Sequence, residues 1–333
     1  MLLVAEKQTA LEAVFKKVKG NLEDICLNIH HQGTTKTKEL VTELSQTISR
    51  LQQREPQEKN KNLSFKRLQQ FIKEASKLIT TIKPFWLMSP LAVSQYIEPN
   101  AVHFDAVIFD EASQILTEDA IPSIMRATQV IVVGDSKQLP PSSSQFQSNN
   151  VDEEDEEEGV YENLLDECST MMQKFTLKWH YRSKEESLIA FSNYHFYGNE
   201  LVSFPNPVKD ASKGVHFHHV PNGVYNRGAS RKDNIPEAEE VAKLTLQHFQ
   251  DNRHMSLGII TSNSYQAAAI RKQLNDLRVE HPDFEEFCQE NTEKFFIKPL
   301  EQVQGDERDV ILLSFVYGRD SEGKLTQGFG PFN

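Results

Sequence analysis

Cysteine is scarce in this sequence. Cys26, Cys168 and Cys288 are its three. They lie far apart and form no C-x-x-C pair, so neither a disulfide framework nor a zinc site is indicated. Long apolar runs are missing too. None approaches the roughly 20 residues that cross a bilayer, so no membrane span or membrane partner is expected. The opening MLLVAEKQ has no charged region ahead of its short apolar run and no small-residue cleavage site. It does not read as a secretory signal, and a cytoplasmic protein is expected. Excess positive charge is also absent. A formal net charge of −12 argues against a protein that holds nucleic acid by bulk charge. It leaves room for a local basic track, because part of the excess is one acidic run, Asp152 to Glu158.

What is present suits a globular protein. Hydrophobic residues make up 38% and charged residues 25% of 333 positions, a length that accommodates two domains. The most informative stretch is Phe104 to Pro141, FDAVIFDEASQILTEDAIPSIMRATQVIVVGDSKQLPP. The apolar run Ala106–Phe109 ends on Asp110-Glu111. An amphipathic segment from about Thr117 to Ala127 follows, and a second apolar run, Val130–Val133, ends on Gly134-Asp135. β-branched runs of this kind predict parallel strands buried on both faces with a helix crossing between them. Polar groups then gather at the carboxyl ends of neighbouring strands, where open α/β sheets bind ligands.

The residue types in those loops point to one chemistry. A carboxylate that ends a buried strand, here Asp110, holds Mg²⁺ beside a nucleotide. The adjacent Glu111 points elsewhere and can orient or deprotonate an attacking water. Gln138 is a neutral group able to bridge that water and a γ-phosphate. The competing reading of DEAS alone is a plain strand end before a helix N-terminus, where acids are favoured anyway. GDSKQLPP one strand later tips the balance to the nucleotide reading.

These two motifs resemble motifs II and III of superfamily 1 helicases. The match is best to the branch that contains the nonsense-mediated-decay RNA helicase and its DNA relatives. Large bacterial helicase-like proteins, often carrying a C-terminal nuclease-like domain, are the most similar. The resemblance implies an α/β fold of two RecA-like domains with mostly parallel sheets, with ATP and Mg²⁺ as cofactors. Single-stranded DNA or RNA is the implied partner, beside further helicase segments or a nuclease domain.

Further motifs extend it. Leu2–Ala5 reads as a strand, followed by a helical pattern over Ala10–Val18. The segment is similar to motif Ia, which makes Lys7 a phosphate ligand or simply an exposed lysine at a strand end. In FWLMSPLAVSQY, Phe85–Met88 reads as a strand. Ser89 is either a nucleic-acid contact, as the resemblance implies, or a helix N-cap with Pro90 at the first helical position, or both. In LKWHYRS the resemblance makes Arg182 an arginine finger and Tyr181 an adenine stacker. Its planar, permanent charge suits Arg182 to phosphoryl transfer. GIITSNSYQ departs from the family pattern, so only Thr261 is carried over as a nucleic-acid contact. LEQVQGDERDVILLS is similar to motif V. It implies a close approach to the cleft at Gln304 and Gly305, a ribose contact at Glu307 and a strand over Val310–Phe315.

The expected domains are residues 1–170 and 171–333. The first carries a helical insertion at about 21–82 and an acidic loop at 142–159. In the insertion, Leu40, Leu44, Ile48 and Leu51 form an apolar stripe. A turn near Arg54-Glu55-Pro56 and a second helix over Ser64–Ile82 complete a helical hairpin, a coiled-coil surface being the alternative. A helix over Val160–Cys168 closes the domain. VHFHHV reads as a strand with His216 and His218 on one face. Plain strand residues are favoured there over a metal site, for want of further ligands.

One element of the family pattern is not found. The phosphate loop G-x-x-x-x-G-K-[ST] has one near match, GRDSEGKL at Gly318–Leu325, which lacks the terminal hydroxyl and leads into TQGFGPFN. The true phosphate loop is expected before Met1 and motif VI beyond Asn333, making this chain the middle of a helicase core. On that expectation the chain alone is inactive as an ATPase, and a non-hydrolysing module that binds nucleic acid or protein is the competing class. The acidic run is read as a solvated loop, the other reading being a mimic of nucleic acid over a basic groove. Replacing Asp152–Glu158 by a Gly/Ser linker is therefore expected to leave single-strand binding unchanged in a fluorescence-anisotropy titration. A marked rise in affinity would instead establish autoinhibition.

Overall fold

The computed structural model describes residues 1–18, 26–29, 65–138, 163–183, 185–204, 213–228, 232–287 and 295–325. Two compact units emerge: Met1–His180 with Ser192–Val202, and Tyr181–Phe191 with Ser203–Asn333. No helix among the described residues is long and apolar enough to cross a membrane.

Among the described residues, the first unit is built on five parallel strands, β1 (Leu2–Val4), β2 (Cys26–Ile29), β3 (Phe85–Met88), β4 (Phe104–Phe109) and β5 (Ala127–Val132), in the order β2-β3-β1-β4-β5. Side chains alternate across a strand, so β1 feeds two apolar layers. Leu2 and Val4 pack with Leu27, Trp86, Met88, Val107 and Phe109, while Leu3 and Ala5 pack with Leu11, Cys26 and Leu87. Covering both faces is the ordinary condition of a parallel sheet. The helices are α1 (Gln8–Val18), α2 (Phe65–Glu74), α3 (Ser76–Ile82), α4 (Pro90–Tyr96), α5 (Thr117–Ile124) and α6 (Leu164–Met171). Ile72, Ile79, Val93, Ala120 and Leu164 seat α2 to α6 on the larger layer. Trp86 is fully buried there, edge-on to Phe104 at 5.4 Å, with its indole N–H donated to the Lys83 carbonyl at 2.7 Å.

After the short strand β6 (Trp179–His180), helix α7 (Ser187–Phe196) and strand β7 (Val202–Ser203), the second unit forms a three-stranded parallel sheet. Its strands β8 (Leu257–Thr261), β9 (Phe295–Pro299) and β10 (Val310–Ser314) run in the order β10-β8-β9. Helices α8 (Ile235–Asp251), α9 (Ser264–Glu280) and α10 (Phe284–Phe287) supply Ala238, Ala242, Phe249, Ile270, Leu274, Phe284 and Phe287 to the core around Ile259, Phe295 and Ile297. Asn234 and Asn263 cap α8 and α9, each side-chain oxygen accepting the N–H three residues on. Gly258 sits where β8 is hemmed in: a Cβ there would lie 2.6 Å from the Phe296 ring and 2.8 Å from Ile311. On β10, Ile311 and Leu313 are exposed while Ser314 is buried, the alternation of an edge strand covered on one face.

Several local expectations change. The helical pattern expected from residue 21 contains a strand: Cys26–Ile29 pairs in parallel with β3 and buries Cys26, Leu27 and Ile29. The second insertion helix is two helices broken at Ala75. The stripe Leu40–Leu51 and the acidic run lie outside the described residues. α5 stops at Ile124 rather than Ala127. The buried Arg126 guanidinium closes this corner, donating to the carbonyls of Pro122 and Ile97, and β5 starts at once. The closing helix runs over Leu164–Met171, capped by Asn163, and Val160 lies outside the described residues. VHFHHV is not a strand: residues 215–220 form no regular element, Phe217 is exposed and His218 pairs with Glu240 at 3.1 Å. No cluster of three or more His, Cys, Asp and Glu able to hold a metal occurs among the described residues.

Trp86 carries the largest single share of the first core. Trp86→Ala is expected to destabilise the unit by about 3–5 kcal/mol, the usual cost of deleting a buried large aromatic. A urea unfolding curve with an unchanged midpoint would refute that weighting.

Candidate functional site

The register of the first sheet creates its functional edge. Phe109 is level with Val4 on one side and Val132 on the other. The ladder continues one step beyond the strands: Asp110 N–H donates to the Val4 carbonyl at 2.8 Å, and Val133 N–H to the Phe109 carbonyl at 2.8 Å. Asp110 and the loop after β5 therefore leave the sheet side by side. The next residue turns sharply. Glu111 adopts φ 54°, ψ 42°, the left-handed region that non-glycine residues avoid, and its N–H is held by Asp110 Oδ1 at 3.1 Å. Such a conformation costs on the order of 1–2 kcal/mol. The short 3-10 turn Ala112–Gln114 then packs inward, with Gln114 N–H donating to the Glu111 carbonyl at 2.9 Å.

Gly134 makes the fit possible. A Cβ there would lie 3.0 Å from Leu165 Cδ2, 3.1 Å from Ala112 N and 3.2 Å from Ser113 N. Ala112 N–H also donates to the Val133 carbonyl at 3.0 Å, so the two loops touch backbone to backbone. Beyond it, the Asp135 carboxylate organises a tight turn. Oδ1 accepts from Lys137 N–H at 3.0 Å, and Oδ2 accepts from the Gln138 side-chain amide at 3.2 Å and from the Tyr197 hydroxyl at 2.6 Å. Burial first, then Asp135, pushes the Tyr197 phenol up to about 12. It is a neutral donor throughout the physiological range. Leu139-Pro140-Pro141, the end of the motif, lies outside the described residues. Glu6, just past β1, has its carboxyl raised, chiefly by loss of hydration and then by Asp119, with neighbouring Lys7 opposing. Lys7 is half-buried and its carbonyl accepts from Ala10 N–H at 3.2 Å. Ser89 realises the N-cap reading: it is buried, with Oγ accepting Ala92 N–H at 3.2 Å and Pro90 in the first turn.

The second unit gathers a different set. After β9 the chain turns at Gln304 and Gly305, the latter at φ 86°. Asp306 faces inward to Lys298 at 2.6 Å, and Arg308 stacks over Phe296 at 4.7 Å. Glu307, between them, stands exposed and pairs with Arg182 at 3.3 Å. Two site residues of distant motifs thus meet. Tyr181 is exposed beside Phe204 at 5.5 Å. Thr261 behaves otherwise: it is fully buried and its hydroxyl donates to the Asn263 carbonyl at 2.8 Å. Its position serves the loop that follows.

Sequence reading missed a buried polar network at the same sheet edge. Gln266 accepts from Asn234 N–H at 2.8 Å and donates to the Ser314 hydroxyl at 3.1 Å. That hydroxyl donates to Glu237 Oε1 at 2.6 Å, which also accepts Val316 N–H at 3.0 Å. Val316 is fully buried at φ 69°, an outlier for a β-branched residue. Asn234 completes the clamp by donating to the Val316 carbonyl at 3.2 Å. The spacing of Asn234 and Glu237 was the available signal, but it reads as an ordinary helix cap. The rejected near match at Gly318–Leu325 has its own internal occupant: Asp320 Oδ1 accepts the N–H groups of Glu322 at 3.0 Å and Lys324 at 2.9 Å.

Comparison with known families fits this geometry. Two models, each described as an AAA domain, match residues 4–144 and 157–330. The chain belongs to the superfamily 1 helicases. Its α/β units are those of the RecA-like nucleoside-triphosphatase fold. Among its relatives, an uncharacterized ATP-dependent helicase of Mycoplasma genitalium is 34% identical over 292 residues, 82% of this chain and 25% of that protein. A 5'-3' DNA helicase of Mus musculus is 27% identical over 240 residues, 68% of this chain and 12% of the relative. The probable helicase senataxin of Homo sapiens is 25% identical over 253 residues, 71% of this chain and 9% of the relative. This helicase chain spans about a quarter of the length of the Mycoplasma relative.

Within the helicase fold, Gly134 carries a specific prediction. Gly134→Ala forces apart the backbones that set Glu111 against the Asp135 turn. The expected cost is about 1–3 kcal/mol in a urea unfolding curve, the usual range for overpacking. Wild-type stability in the variant would show that the close approach is not required.

Proposed function

We propose that this helicase core couples ATP hydrolysis to movement on single-stranded nucleic acid. The observation that carries the proposal is the acid pair Asp110-Glu111 at the end of β4, with Glu111 held in a left-handed turn and the Gln138 loop leaving the neighbouring strand beside it. Asp110 would hold Mg²⁺. Hard oxygen donors suit that ion, and it typically takes one or two carboxylates, several waters and the nucleotide phosphates rather than an all-protein cage. The chemistry of the donors fits such a site, since Asp110 and Glu111 offer carboxylate oxygens at the end of β4. When bound, Mg²⁺ supplies charge neutralisation at the phosphates. Glu111 orients or accepts the proton of the attacking water, and Gln138 bridges that water and the γ-phosphate.

In the second unit, Tyr181 is the adenine stacker, Glu307 the ribose ligand, Gln304 and Gly305 the close approach, and Arg182 the finger. An ion pair as exposed as Arg182–Glu307 contributes roughly 0–1 kcal/mol. Ribose and γ-phosphate can therefore compete for its two halves at little cost. Lys7, Ser89 and Thr261 are the nucleic-acid contacts of this reading, Thr261 by way of the loop that its hydroxyl anchors at Asn263. The relative named as a 5'-3' DNA helicase lends it support.

The test is steady-state ATPase of the full-length protein with saturating single strand, beside equilibrium binding of a nucleotide analogue. Arg182→Ala is expected to lower kcat by roughly 10³–10⁵ while binding changes little, because a finger acts on charge that develops in the transition state. Arg182→Lys keeps the charge but loses the planar fork and restores only part of the rate. Glu111→Gln is expected to bind the nucleotide and hydrolyse it poorly. Near-normal kcat in Arg182→Ala removes the finger assignment. No hydrolysis in the wild-type protein, with single-strand binding retained, moves the protein to the non-hydrolysing class.

A further inference from the structure

We propose that Tyr197 is a positioning residue for Gln138, acting through the Asp135 carboxylate. This rests on the role given above to Gln138 and adds a residue that lies outside all of the motifs. One oxygen, Asp135 Oδ2, accepts from both the Tyr197 hydroxyl at 2.6 Å and the Gln138 side-chain amide at 3.2 Å. The other, Oδ1, accepts Lys137 N–H at 3.0 Å, and Gln138 N–H returns to the Asp135 carbonyl at 3.1 Å. The loop is wrapped around a single carboxylate, and the shortest bond to that carboxylate comes from a residue 62 positions away.

Tyr197 is itself fixed. It lies just past α7, with its N–H on the Asn193 carbonyl at 3.2 Å. The chain then reverses through Gly198 and Asn199, both in the left-handed region at φ 58° and 59°. Asn193 locks that reversal: its side chain donates to the Leu201 carbonyl at 3.0 Å and accepts Leu201 N–H at 3.0 Å. A phenol on so constrained a turn is a rigid pin. An amide that must present one face to a water and a phosphate needs its rotamer set before the nucleotide arrives. The charged carboxylate is a strong acceptor, and the phenol holds it from turning away from the amide.

The experiment has two arms. In the full-length protein, Tyr197→Phe is expected to lower single-strand-stimulated kcat about tenfold while leaving the KM for ATP within about twofold, because only positioning is lost. In a Gln138→Ala background the same substitution should have no further effect, the signature of two residues acting through one path. An equal loss in both backgrounds, or a wild-type kcat in Tyr197→Phe, overturns the proposal. The second arm needs no catalysis. In ¹⁵N-glutamine-labelled chain, the side-chain amide signals that vanish in Gln138→Ala should exchange slowly with solvent in the wild type. In Tyr197→Phe they should shift and exchange faster. Signals unmoved in Tyr197→Phe overturn the proposal. If the wild type hydrolyses no ATP, the catalytic reading fails by itself, and the amide arm still decides whether Tyr197 holds Gln138.

Discussion

The parallel pairing of β4 between β1 and β5 is the interaction on which the first site depends. A parallel ladder lines up carboxyl ends. Once Phe109 is level with Val4 and Val132, the residues that follow each strand have to emerge together. The bonds from Asp110 to Val4 and from Val133 to Phe109 carry the ladder into the loops. The burial of Val107 and Phe109 sets the register, because a slip by one residue would turn the apolar set out of its layer. Core packing therefore fixes the position of the acid pair, and the loops only have to aim it.

Much of this was legible beforehand. Phe85–Met88 was found at its exact bounds because four large apolar residues lie between Pro84 and the Ser89-Pro90 cap signal. The DEAS and GDSKQ stretches announced themselves by ending apolar runs in acids and glycine. The failures have physical causes as well. Cys26–Ile29 is too short to show a period, and only a long-range partner, β3, makes it a strand. VHFHHV has the alternation of a strand but gains no neighbour to pair with. The left-handed Glu111 and the Tyr197 contact carry no local signal at all, and the Glu237 clamp carries only the spacing of an ordinary helix cap, since its partners are brought together by the fold.

The two units solve a similar problem with different means. In the first, the functional loop is folded around one half-buried carboxylate, Asp135, whose partners are an amide, a phenol and a backbone N–H. In the second, Glu237 holds the backbone itself, fixing Val316 in a conformation that a β-branched residue would not choose. The Gln304–Glu307 turn is set by a third device. Gly305 supplies the positive φ, Asp306 is drawn inward by Lys298, and the next side chain is left facing out. A partly buried carboxylate is common to all three.

Glu111 shows what this arrangement demands of natural selection. On the role proposed for it, its left-handed backbone is a place where stability and activity pull in opposite directions. Glycine or asparagine would sit there with less strain, and a library screened only for thermal resistance should drift toward them. Such variants would melt no earlier than the parent and would have lost the carboxylate. Conversely, a lineage relieved of the need to hydrolyse nucleotide has no reason to keep glutamate in that backbone. If Glu111 has the role proposed for it, the residue found at this one position serves as a record of whether a given copy of the fold is still under selection for catalysis.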